Sequence, residues 1–356
     1  MESAVKIAND NLKHCDFAKT ILMLCVIAGH CCGFWTEAWF TVLKPAYSDV
    51  YLGYFANWVG SFHVSGFTLI SGYIYYYVKN ERGGYSSFTV LLSKKAKRLL
   101  LPYFFMCVVW VIPITNVFFH YSSLEIVDNY LFGGSPEQLW FLLMLFDVFV
   151  LFFFLNHVID RNLYVGYFIL FVLYCIGDFY SRSSILNVFQ IFTSFKFLIV
   201  FSTGYCIRKY YSTFFCRRQY GLNKIGTLIL LLILNALLAF SCQHLLHFES
   251  VFSKVICKLL YIILYVSKAI TAFGVLLYLA NRFNWRTRIF NLLLTNNFKL
   301  YLFHQQIVYV FLYLFNGLLI PEIHALLNFI VSTTLSILIS LLIGKFKFLR
   351  MFFGDK

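Results

Sequence analysis

A chain of 356 residues with a net charge of +14 is 61% hydrophobic and 21% aromatic but only 12% charged, and its mean hydropathy is +0.77. That balance excludes a soluble globular domain, and apolar stretches of about 20 residues suit α-helical spans, not the alternating ~10-residue strands of an outer-membrane barrel. The positive charge does not point to nucleic acid either, because it falls in alternate loops, as the positive-inside rule expects of a membrane protein.

The pattern predicts an all-α polytopic helix bundle with both termini cytoplasmic. Ten spans are expected, at about 17–35, 54–78, 99–119, 138–158, 163–181, 188–207, 225–246, 255–280, 297–317 and 324–344. Ahead of them, the N-terminal residues lack the basic region, short apolar core and small-residue cleavage site of a signal peptide. The longest polar connections, about 79–98 and 208–224, are basic and assigned to the cytoplasm. Residues 1–356 are therefore read as one membrane domain without an appended soluble domain, placed in a cell (inner) membrane. The 10 cysteines are scattered and include the vicinal pair Cys31 and Cys32 but no CxxC couple. Buried apolar thiols, not a metal site, are expected.

The first span carries Lys19 and His30, costly residues in hydrocarbon. Eleven helical steps bring them within roughly 20° of one face, about 16 Å apart along the axis. Such a stripe suits a path part-way across the bilayer, open between its ends at Met23, Val26 and Ile27. Asp16 stands three residues before Lys19, within reach of an ion pair. In the second span His63 falls in the same external half as His30, and Gly66, Ser71 and Gly72 reduce bulk for close helix packing.

Four cations in five residues, Lys94, Lys95, Lys97 and Arg98, precede the third span. They are a positive-inside anchor or a phosphate-binding cluster, with Arg98 capable of a bidentate contact. Coenzyme A offers such phosphates, and its thin arm would fit the stripe of the first span. Asp147, Lys196, Lys268 and Lys299 also fall within apolar spans, and Asp147 is expected to neutralise one of these lysines. In the fourth and ninth spans, Trp140 and Tyr301 are interfacial anchors or sugar-stacking platforms, and His304 follows Lys299 toward the same cavity.

Taken in order, these motifs resemble the membrane acyltransferases of family 3, which O-acylate sugars and related acceptors. Lys19 and His30 have the spacing of the basic residue and histidine in that family's first helix, with Lys in place of the commoner Arg, and Asp16 with Lys19 is similar to the branch of fucose 4-O-acetylase-like proteins. Phe62, His63, Phe67, Ser71, Gly72 and Tyr73 resemble the second-helix motif, although Val64 and Ser65 replace its usual Met and Pro. The basic run to Arg98 and Pro102, the stretch Leu139-Trp140-Phe141-Leu142 and the stretch Tyr301-Leu302-Phe303-His304 complete the set.

The resemblance implies a cytoplasmic acyl-CoA donor, foremost acetyl-CoA, and no metal. The acceptor would be a hydroxyl of a surface glycan or lipid-linked sugar, presented from the membrane of a bacterial cell. Lys19, Lys95 and Arg98 are expected to contact donor phosphates, with Asp16 orienting Lys19. His30 would act as general base or carry the acyl group, with His63 nearby; Trp140, Tyr301 and His304 would meet the acceptor. Membrane lipid is the expected surrounding partner, and a homo-oligomer is compatible with the pattern. The alternative reading is a secondary transporter or flippase using the same intramembrane Lys, His and Asp residues, yet residues 1–178 and 179–356 lack the related halves common in that class.

Overall fold

The computed structural model describes residues 12–181, 187–210, 221, 224–246 and 250–353, and no strand occurs among them. The N-terminal tail through residue 11 and most of the basic connection at 208–224 lie outside the described residues. Where no water reaches the backbone, a helix satisfies every peptide group within its own segment, which explains the all-helical result.

In chain order the helices are α1 (Lys13–Gly33), α2 (Val50–Gly60), α3 (His63–Tyr76), α4 (Phe88–Phe119), α5 (Ser123–Ile126), α6 (Trp140–Arg161) and α7 (Leu163–Tyr180). They continue with α8 (Ile191–Lys209), α9 (Ile225–Leu246), α10 (Val251–Arg282), α11 (Arg288–Phe315), α12 (Pro321–Lys345) and α13 (Lys347–Phe352). Among the described residues, eight helical segments are long and apolar enough to cross a membrane. Two predicted spans fall outside that set for different reasons. The span at 54–78 is broken at Ser61 and Phe62, between α2 and α3. The span at 297–317 is one uninterrupted helix, α11, but it buries Asn296, Lys299, His304, Gln305 and Gln306.

The chain divides into two compact units. The first takes Met1–Leu22, Gly60–Arg82 and Val200–Leu294; the second takes Met23–Val59, Gly83–Ile199 and Thr295–Lys356.

In the first unit α9 and α10 pair, and α10 also packs on α3. Asn235 on α9 donates to the Thr271 hydroxyl on α10 at 2.9 Å. The backbones of α3 and α8 touch: a Cβ at Gly72 would overlap the Phe201 carbonyl, and one at Gly204 would overlap the Leu69 carbonyl. Glycine at both positions is what permits the crossing. Beside it, Arg208 is buried and forks onto both carboxylate oxygens of Glu81 at 2.7 Å while donating to the Tyr73 hydroxyl at 2.9 Å.

The second unit explains two irregularities by proline. Helix α4 widens to π geometry at Ala96–Leu100 and Cys107–Val111. Each stretch contains the residue four before a proline, Arg98 before Pro102 and Val109 before Pro113, and a proline ring cannot tolerate the carbonyl at that position in a regular α-helix. The loop leading into α6 is pinned by the Gln190 amide, which donates to the Gly133 carbonyl at 2.7 Å and the Gly134 carbonyl at 3.0 Å.

Candidate active site

In the second unit the last turn of α1 presents His30 to the buried polar side of α11. His304 lies fully buried, with Nδ1 3.0 Å from the Leu300 carbonyl oxygen and 2.9 Å from that of Tyr301. Two acceptors at Nδ1 require its proton there, so neutral His304 keeps its lone pair on Nε2. That Nε2 is 3.0 Å from Nδ1 of His30. His30 must therefore donate from Nδ1, which leaves its own lone pair on Nε2. The ring centroids are 5.0 Å apart and the planes 21° apart. The backbone of α11 thus sets the tautomer of an imidazole on another helix.

Around this pair is a bed of amides and phenols. Gln138 and Gln306 bond reciprocally through their side chains at 2.7 and 3.0 Å, and Gln138 also donates to the Leu302 carbonyl at 3.1 Å. The Tyr301 hydroxyl donates to the Gln138 carbonyl. Oε2 of Glu137 accepts from the Tyr309 hydroxyl at 2.6 Å and from the Gln305 amide at 2.8 Å. Glu137 sits at φ 50°, in the left-handed region that costs a side-chain-bearing residue about 1–2 kcal/mol. Such strain persists only where the surroundings over-determine it, as these hydrogen bonds do. Above the bed the Trp39 ring stands 4.8 Å from the His30 ring and 5.1 Å from that of Tyr309, centroid to centroid.

Trp140 opens α6 and packs on Phe197, with ring centroids 5.9 Å apart, while Tyr301 is committed to the Gln138 carbonyl. Lys95 is buried, its ammonium 3.3 Å from the Phe149 ring centroid and 5.2 Å from that of Tyr85, in a cation–π seat. Arg98, by contrast, is exposed. Burial raises the Tyr85 phenol above its ordinary range, and the charge of Arg98 opposes that rise. In the first unit Lys19 pairs with Asp16 at 3.0 Å, and His63 is buried at the first position of α3.

Two expectations need correction. The stripe between Lys19 and His30 is not open: Met23, Val26 and Ile27 retain 1%, 6% and 0% of their exposure. The polar ends have the predicted spacing, but the apolar face between them is packed. Asp147 neutralises none of the intramembrane lysines in an ion pair among the described residues, and its Oδ2 is buried without a hydrogen bond. Lys196 pairs instead with Asp178 at 3.2 Å. The cause is steric, since glycine at 177 lets α7 approach the Phe192 carbonyl and the Lys196 stem so closely that Asp178 becomes the nearer carboxylate.

Trp39, Glu137, Gln138, Gln305, Gln306 and Tyr309 were not among the candidates from sequence. The one available signal was the run His304-Gln305-Gln306 inside an otherwise apolar helix, where amides without partners are costly. The family model of an acyltransferase domain, family 3, matches residues 13–345. The chain belongs to that family. No curated protein and no solved structure matches it significantly. Membership makes this multi-pass membrane protein an acyltransferase, and so decides between acyl transfer and the transport reading. In this family-3 acyltransferase, the ordered His30–His304 pair is the feature best suited to proton transfer.

Proposed function

We propose that this family-3 acyltransferase moves an acetyl group from cytoplasmic acetyl-CoA to a sugar hydroxyl of a surface glycan or its lipid-linked precursor, at the inner membrane of a bacterial cell. The observation that carries the reading is the 3.0 Å hydrogen bond from His30 to His304, which directs the His30 lone pair to Nε2. A neutral imidazole so oriented is a general base. Its Nε2 takes the proton of the acceptor hydroxyl as that oxygen attacks the thioester carbonyl carbon. The C–O bond forms, the C–S bond breaks, and the imidazolium returns its proton to the departing thiolate. The products are the O-acetyl sugar and free CoA.

Donor phosphates are assigned to Arg98 and Lys95 near the start of α4. Because Met23, Val26 and Ile27 fill the face between Lys19 and His30, delivery of the thioester requires those side chains to shift. The similarity of Asp16, Lys19 and the His63 to Tyr73 motif to fucose 4-O-acetylase-like proteins supports a sugar acceptor.

The test is to reconstitute the purified protein in nanodiscs with labelled acetyl-CoA, and to compare O-acetyl content of surface glycans in cells with and without the chain. Thioester consumption together with new glycan O-acetyl is expected. Solute movement without thioester consumption overturns the assignment.

A further inference from the structure

This inference rests on the proposed acyl transfer and concerns where the acceptor binds and which acceptors are refused. Trp39, Glu137 and His30 are each half-buried, while Tyr309, His304, Gln305 and Gln306 beneath them are fully buried. The three upper groups are therefore the accessible rim of a rigid polar bed.

The hydrogen-bonding capacity of Trp39 and Glu137 is only partly used. Both donors at Glu137, Tyr309 and Gln305, converge on Oε2. Oε1 accepts nothing from the described residues, and Glu137 joins no ion pair among them. The Trp39 ring is held against the end of α1, where a Cβ at Gly33 would lie 3.3 Å from two of its ring carbons. Its indole N–H donates to no described residue. The left-handed φ of Glu137 is a second, independent sign that the carboxylate is held in place by its surroundings.

We propose that Trp39 and Glu137 form the acceptor subsite and that it selects an uncharged polyol ring over an anionic one. One ring hydroxyl donates to Oε1 of Glu137, a neighbouring oxygen accepts from the Trp39 indole N–H, and a further hydroxyl reaches Nε2 of His30. A uronate or phosphorylated sugar would set its own charge against the Glu137 carboxylate with no cation paired to that carboxylate. Like charges a few ångströms apart at a partly buried site cost enough to give at least about tenfold discrimination.

The test uses n-octyl glucoside and n-octyl glucuronide as acceptor probes, with labelled acetyl-CoA and the full chain in nanodiscs. The wild type is expected to acetylate the glucoside at least about tenfold faster than the glucuronide. Glu137→Gln removes the charge but keeps the shape, and should slow transfer to the glucoside while narrowing the preference several-fold. Trp39→Phe keeps a ring but removes the donor, and should raise the KM for glucoside more than it lowers kcat. Circular dichroism and thermal unfolding check that each variant folds; should Glu137→Gln fail that check, Trp39→Phe and the wild-type preference still decide. Equal use of the two glycosides, or wild-type kinetics in both variants, overturns the subsite. Refusal of both glycosides while the protein still hydrolyses acetyl-CoA through His30 also overturns it and leaves the acyl-transfer reading standing. Absence of any thioester turnover overturns that reading, and the subsite with it.

Discussion

His304 Nε2 stands 3.0 Å from His30 Nδ1, and the carbonyls of Leu300 and Tyr301 fix which partner donates. In the proposed reaction His304 therefore acts as a positioning residue. His304→Ala should lower kcat by up to about 10²-fold, the cost typical of a misplaced reacting group, with little change in the KM for acyl-CoA. His304→Gln returns an acceptor oxygen near the place of Nε2 and should recover much of the loss. A purely structural role would give equal losses in both variants, together with lowered thermal stability.

The two cations proposed to bind the donor, Lys95 and Arg98, make separable predictions. Arg98 is exposed, whereas Lys95 is buried on Phe149. Arg98→Gln should weaken binding of desulfo-CoA or 3′,5′-ADP by about tenfold, as expected for losing a charge-assisted hydrogen bond. Lys95→Gln should weaken nucleotide binding less than it lowers thermal stability, because it removes a packed cation. Calorimetric binding beside thermal unfolding separates the two effects.

The crossing of α3 and α8 depends on two glycines. Gly204→Ala places a methyl group against the Leu69 carbonyl and should cost about 1–3 kcal/mol, the usual penalty of overpacking. At Gly226 on α9 a methyl group would meet nothing within 4 Å. Gly226→Ala should therefore be neutral or raise stability by about 0.5–1 kcal/mol through helix propensity. Thermal unfolding of the pair in one detergent checks the contrast.

Arg208 offers a test of fork geometry. Lysine at this position keeps the charge but cannot engage both Glu81 oxygens and Tyr73 together. Arg208→Lys should cost about 1.5–3 kcal/mol, the worth of hydrogen bonds to a charged group. An unfolding midpoint equal to wild type would contradict that role.

The fold class was legible in the sequence because hydrocarbon requires runs of apolar residues, and most predicted spans coincide with observed helices. The break at Ser61 and Phe62 was not, since an apolar run records burial and not backbone dihedrals. His30 stood out as a lone imidazole in hydrocarbon, and His304 through its motif. Their direct contact did not, because 274 positions separate them. Glu137 carried no signal in the sequence, because the hydrogen bonds that anchor its carboxylate come from Tyr309 and Gln305, on a helix far along the chain. Lys196 found Asp178 and not Asp147 because a single glycine governs how closely α7 and α8 approach, a distance that charge pattern alone does not encode.

The central claim is that His30 removes the acceptor proton, and the most direct measurement is free CoA released from acetyl-CoA by wild-type and His30→Ala proteins in nanodiscs, with glycan acceptor present. The account predicts a fall of about 10² to 10⁴ in turnover, the usual worth of a general base, with circular dichroism and desulfo-CoA binding retained. Turnover within a few-fold of wild type in His30→Ala would contradict it.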